Sequence, residues 1–319
     1  MERLRKRPPF RGLCSFGMDL SGANGGSLVS TRKRLVVALV LLLNTACPSV
    51  LHAALDQCFL RNAILITFGA SPGKYKYGTG FFMGDKEHKW LVTNKHMIPS
   101  PRPLRSINIR VTSGTGDVAA IRWIEVPVTG KDGKYLSNVR LHPEADVAAI
   151  DVSEVINRED LHGSLLPLDL LSTPQRLKDE NITLGDEIFL LGYPNFIFDE
   201  RSVAPILRTG VIATAPVGGL AMNRKLRRSY GLPALADAFL IDANVFPGSS
   251  GSVVILKPMA TALGCDGSIV PSRIKQRPYV LGIVSGSIPI KDTTGTIQRM
   301  GLGIVYSADA IRSVIDQLK

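Results

Sequence analysis

An all-β architecture of two small barrels or sandwiches is what this sequence predicts, and three observations predict it. From residue 62 onward, short apolar runs recur between glycine, proline or charge, with 30 glycines and 20 prolines in 319 residues to punctuate them. The runs fall into two series of about six on either side of a polar, loop-like stretch at 157–184. Only the C-terminus carries a clear helical pattern. With 45% apolar residues the chain can bury a substantial core, which excludes a disordered protein.

Residues 1–53 read as a basic leader ending in a secretory signal peptide. "RKR" (32–34), the apolar "LVVALVLLL" (35–43) and a stretch closing on the small residues Ala53 and Ala54 follow the order of such a peptide. Nine strongly apolar residues are short for a membrane span, which needs about 20. An uncleaved N-terminal anchor is the alternative. The long segment ahead of the basic cluster points to a start nearer Met18 or Val29. Cleavage near Ala53 or Ala54 would give an exported protein, periplasmic or secreted, with no stable membrane contact. It would leave Cys58 and Cys265, either as one disulfide or as two separate thiols.

The formal charge of +11 invites a nucleic-acid reading, but its location argues against one. Residues 1–34 hold eight basic side chains against Glu2 and Asp19, and 35–53 carry no formal charge. That leaves +5 of the +11 for residues 54–319, which is modest for a chain of this size. The basic run "NRKLRR" (223–228) reads as a solvated loop.

The first unit is expected over 54–170. Its strands are "NAILITFG" (62–69), "GTGFFMG" (78–84), "KWLVTN" (89–94), "SINIRVT" (106–112), "AAIRWIEVPV" (119–128) and "DVAAIDVSEV" (146–155). In "SINIRVT", Ile107, Ile109 and Val111 alternate with Asn108 and Arg110, as on a half-buried strand. The second unit, over 171–319, has "DEIFLLGYP" (186–194), "LRTGVIATAPV" (207–217), "AFLIDANVF" (238–246), "SVVILK" (252–257), "YVLGIVSGSI" (279–288) and "GLGIVYS" (301–307). A helix over 307–319 closes the chain. Ser307 is placed to cap it, Asp309 suits its positive first turn, and Ile311, Val314, Ile315 and Leu318 share one face.

The chemistry is sought around "FPGSSGSVV" (246–254), where three serines lie among glycines. Serine needs a neighbouring base, and that base needs a group to orient it. His96 follows an apolar strand in "WLVTNKHMIP", and Asp146 opens one in "HPEADVAAIDV". Asp151 is the rival acid, but an odd offset of five along a strand turns it to the opposite face. No metal-ligand spacing appears, and the phosphate-loop reading of "GASPGKY" (69–75) fails at Phe68 and Tyr75. The G-x-S-x-G elbow fails at Ser252. No cofactor is expected.

"GTGFF" (78–82), "LVTNKHMI" (91–98), "ADVAAIDV" (145–152), "GDEIFLLGYP" (185–194), "PGSSGS" (247–252) and "LGIVSGS" (281–287) resemble the successive signature strands of chymotrypsin-fold serine peptidases. The likeness is to the HtrA protease domain and to the staphylococcal glutamyl endopeptidases. It covers about residues 62–319, with every segment in order.

That resemblance implies two six-stranded antiparallel barrels with the active site between them, and a serine endopeptidase acting on polypeptides. By the family pattern G-x-S-G it implies Ser250 as nucleophile, His96 as general base and then acid, and Asp146 as its orienter. It also implies an oxyanion hole from the backbone N–H groups of Gly248 and Ser250. Asn244, Val284, Ser285 and Gly286 would line the substrate pocket. Asn244 stands where trypsin-type enzymes carry an aspartate, and Val284 where the glutamyl group carries a histidine, so an uncharged pocket for small or medium apolar side chains is expected. The segment 195–207 is longer than its counterpart in HtrA-like domains and is expected to form a loop near the site. The rival reading is a catalytically silent binding or scaffold protein on the same fold.

Overall fold

The computed structural model describes residue 55 and residues 57–71, 74–98, 106–113, 120–156, 165–229, 235, 237–259, 261–263, 269–271, 277–291, 294 and 297–319. The leader, its cleavage site and Cys265 lie outside the described residues, as does the Cys58 side chain. Among the described residues no helix is long and apolar enough to cross a membrane.

After a short helix α1 (Gln57–Asn62), seven strands build the first sheet. They are β1 (Ala63–Ser71), β2 (Lys74–Gly84), β3 (Lys89–Thr93), β4 (Ser106–Ser113), β5 (Ala120–Pro127), β6 (Val139–Leu141) and β7 (Ala148–Asp151). Their order is β5-β4-β1-β2-β3-β7-β6, antiparallel throughout. Period-two burial works as expected in β4, where Ile107, Ile109 and Val111 are buried and join Ile66, Phe82, Leu91, Val126, Val139 and Ile150 in one core. All seven strands supply that core, so the sheet wraps around it. The ladder does not close as the expected six-stranded barrel would. Its edges β5 and β6 are instead joined by a hairpin in which Thr129 bridges Tyr135. The seventh strand, β6, is only three residues long and carries no periodic signal of its own.

The expected loop at 157–184 is, from residue 165 on, a packed strap. Leu166 bridges Met83 of β2, and Leu171 bridges Val280. Helix α2 (Pro174–Asp179) follows, capped where the Thr173 hydroxyl accepts the Arg176 N–H at 3.2 Å. Buried Leu166, Leu170, Leu171, Leu177 and Ile182 hold the strap down, spaced too irregularly among polar residues to show in the sequence.

The second half is a closed barrel of the expected six strands, in the order β10-β15-β14-β11-β8-β9. These are β8 (Glu187–Gly192), β9 (Ile206–Ile212), β10 (Ala238–Asp242), β11 (Val253–Leu256), β14 (Val280–Lys291) and β15 (Ile297–Ser307). The basic run expected as a loop forms a short helix α3 (Arg224–Ser229), and β12 (Thr261–Leu263) and β13 (Ile269–Pro271) make an added two-stranded ribbon. Helix α4 (Ala308–Ile315) closes the chain. Ser307 sits at its N-cap position without a side-chain capping bond. Burial raises the pKa of Asp309 in its first turn. Ile311, Val314 and Ile315 are fully buried, and Leu318 packs against the same cluster. The helix contacts β7 and β6 as well as β14 and β15, so it bridges the two halves rather than covering the second alone.

Candidate active site

His96 and Asp146 reach each other because β3 and β7 run antiparallel with Thr93 opposite Ala148. A single 3-10 turn, Lys95–Met97, continues β3, and the loop 142–146 leads into β7, so both side chains extend from the same end of the pair. His96 Nδ1 lies 2.6 Å from Asp146 Oδ2, and the His96 backbone N–H donates to Asp146 Oδ1 at 3.0 Å. The rival Asp151 pairs with Trp90 at the far end of β7 and accepts the Ser153 N–H. The side chain of His96 is 49% exposed and that of Asp146 only 14%.

Neighbours from both strand ends hold the loop that carries the acid. The Asn94 amide donates to the Asp146 carbonyl at 2.8 Å, and Lys95 Nζ donates to the His142 carbonyl at 2.9 Å. His142 Nδ1 accepts the Ala145 and Glu144 N–H groups at 2.8 and 3.2 Å. Beneath Asp146, burial first and the Asp146 charge second push the Tyr306 phenol up to about 12. Ser285, expected only as a pocket residue, donates its hydroxyl to Asp146 Oδ2 at 2.6 Å. It can do so because β14 bulges between Val284 and Gly286, which turns Ser285 out of the ladder.

Ser250 sits in the turn between β10 and β11. Gly251 N–H donates to Val284 O and Val284 N–H to Ser252 O, which hangs the turn on β14. Thr79 N–H donates to Ser250 O at 2.8 Å, which hangs it on β2. Gly248 and Gly251 have φ of +87° and +88°. A Cβ on Gly251 would collide with the Thr79 carbonyl, and one on Gly248 with the Tyr193 carbonyl. Among the hydrogen bonds of the described residues, the amides of Ser249, Gly251 and Ser252 donate within the protein, and those of Gly248 and Ser250 do not. The Ser250 hydroxyl donates to the Ser285 carbonyl at 2.9 Å. His96 and Ser250 face one open cleft of roughly 310 Å³, with Tyr75, Lys76, Tyr77, Met97, Pro247 and Gly248.

The residues from 78 to 258, which include His96, Asp146, Gly248 and Ser250, match the trypsin-like peptidase domain. The chain belongs to the trypsin-like peptidase family. The trypsin-like chain is accordingly a serine-type peptidase. Among solved structures it is similar to the Rv3671c protease of M. tuberculosis in its active form, at 20% identity over 82% of both chains with a TM-score of 0.48. It is also similar to the serine endoprotease of Yersinia pestis, at 16% identity over 82% of this chain and 64% of that one, with a TM-score of 0.44. The inactive form of Rv3671c gives 18% identity over 82% and 91%, with a TM-score of 0.43. No curated protein matches the chain.

In this trypsin-like peptidase the four expected pocket residues do not share one surface. Val284 is fully buried in the apolar core of the second barrel. Ser285 and Gly286 are partly exposed. Asn244 is exposed and borders a small cavity with Ser249, Ser252 and Arg208, and its carbonyl accepts an N–H from Arg208. The wall expected to be uncharged therefore has a guanidinium behind it.

Proposed function

We propose that the protein is an exported endopeptidase that hydrolyses peptide bonds in polypeptides through a His96–Asp146–Ser250 triad and an acyl-enzyme. The observation that carries this reading is the 2.6 Å contact between His96 Nδ1 and Asp146, with Ser250 in the same cleft. A carboxylate on Nδ1 fixes the imidazole tautomer and leaves Nε2 to accept a proton. For attack the Ser250 hydroxyl must leave the Ser285 carbonyl and turn toward His96 across the cleft they share, a change of side-chain rotamer. Ser250 Oγ then adds to the substrate carbonyl carbon as its proton passes to His96. His96 returns that proton to the leaving amine, and water hydrolyses the resulting ester. The uncommitted N–H groups of Gly248 and Ser250 suit the oxyanion, each worth ~3 kcal/mol to the transition state. The order of basic, apolar and small residues over 32–54 supports export.

One observation favours a second reading. With its hydroxyl bonded to Ser285 O, Ser250 suits a silent binding protein that retained the fold. A fluorophosphonate probe separates the two. Labelling and casein degradation should be present, lost in Ser250→Ala and largely kept in Ser249→Ala. Processed, well-folded protein that takes no label would defeat the peptidase reading.

A further inference from the structure

The cleft that holds His96 and Ser250 has one wall with no part in the reaction just proposed. Tyr75, Lys76 and Tyr77, from the start of β2, form it beside Met97, Pro247 and Gly248. Tyr75 is 75% exposed. Phe196, itself 43% exposed, stands against Tyr77 with ring centroids 5.2 Å apart. Phe198 meets Phe196 edge-on at 5.3 Å and Tyr193 at 6.0 Å, and the Arg110 guanidinium lies 4.9 Å over the Phe198 ring. The rings thus form a tier rooted in the buried Tyr193 and open at the rim of the cleft.

The backbone under this tier is held in an unfavourable conformation. Asn195 and Phe196 have φ of 51° and 60°, values that residues with a Cβ rarely adopt and that persist only where the surroundings impose them. The Asn195 N–H donates to the Pro247 carbonyl at 2.6 Å, which clips the loop directly to the turn bearing Ser250. The clip and the strain together keep Phe196 outward and against Tyr77.

We propose that Tyr75, Tyr77 and Phe196 form a subsite for an aromatic or large aliphatic side chain on the leaving-group side of the scissile bond. This rests on the peptidase reading above. A histidine that protonates the leaving amine lies beside the departing chain, and His96 shares its cleft with Tyr75 and Tyr77. Asn244, Ser285 and Gly286, expected to line the pocket for the residue whose carbonyl is attacked, are absent from the lining of this cleft. The departing segment of the substrate therefore crosses the rings, which offer stacked or edge-on contact to an aromatic residue. A lysine or arginine there would meet Lys76.

The test uses the full chain and internally quenched peptides that share the acyl-side sequence best cleaved in a library. They differ only at the first two leaving-side residues, set to Phe, Leu, Gly or Lys. The kcat/KM for Phe should exceed that for Gly about five- to ten-fold, with Lys lowest. In Phe196→Ala and Tyr77→Ala the Phe-to-Gly ratio should fall to within about two-fold, and Phe196→Leu should keep much of it. Each ratio is internal to one variant, so a misfolded fraction cancels. A wild-type ratio near one, or a ratio unchanged in Phe196→Ala, overturns the subsite. If fluorophosphonate labelling is intact in that case, only the subsite falls. If labelling and turnover are both missing, the peptidase reading falls with it.

Discussion

Thr79 contributes no atom to the proposed reaction, yet four hydrogen bonds converge on it. Its N–H donates to Ser250 O, its hydroxyl donates to Gly248 O at 2.8 Å and accepts the Tyr193 N–H at 3.1 Å, and its carbonyl accepts the Thr93 hydroxyl at 2.8 Å. The residue is fully buried, and Gly248, Tyr193 and Thr93 are buried with it, so those three partners have no water as a substitute. Thr79→Val keeps the shape and strands a carbonyl and an amide, each costing about 1–3 kcal/mol. Expected are a loss of about 2 kcal/mol in urea unfolding and a fall in kcat of about ten-fold, with Thr79→Ser restoring most of both. An unchanged kcat in the folded valine variant would show that the hydroxyl does not position the nucleophile turn.

Among the elements, the loop 142–146 makes the placement of Asp146 sensitive to pH through His142. Burial, aided by Lys95 and opposed by Asp237 and Glu144, holds the His142 imidazole below its usual 6.5. Its neutral Nδ1 accepts two loop amides, and protonation removes that acceptor. Because the folded value is depressed, this stabilisation is fully present above pH 6.5 and is lost as pH falls through the lower folded value. His142→Gln should therefore melt below the wild type at about pH 8, with the gap narrowing as pH drops below about 6. A gap that stays constant across a pH series of melting curves would exclude this linkage. The sequence singles out His96, Asp146 and Ser250 because each lies in a short motif at a strand end, and the structure places His96 against Asp146 and in one cleft with Ser250. The bonds of Thr79 were not legible, since its partners at Tyr193 and Gly248 come from the other half of the chain. The contact of Ser285 with Asp146 is hidden in the sequence because only the bulge in β14 aims it there. Strand β6 and the strap from 165 leave no mark in the sequence for a different reason, being too short or too irregular to show a period.

For the whole molecule, one apolar cluster joins both halves. Phe81, Trp90 and Val147 of the first sheet share it with Leu191, Val253 and Ile283 of the barrel and with Ile311 and Val314 of α4. Cutting Ile311 to alanine should cost about 2–5 kcal/mol, given its full burial. Calorimetry should show one transition for the two halves together, and in Ile311→Ala that single transition should move down as a unit. Two separate transitions in the wild type would mean that the shared cluster does not couple them.

The position of α4 in the sequence gives that shared cluster a consequence in time. A core that needs Phe81 and Ile311 together cannot close until nearly all of the described chain has been synthesised. Until then the first sheet carries apolar side chains with no partner to cover them. A chain in that state is open to the binding of chaperones.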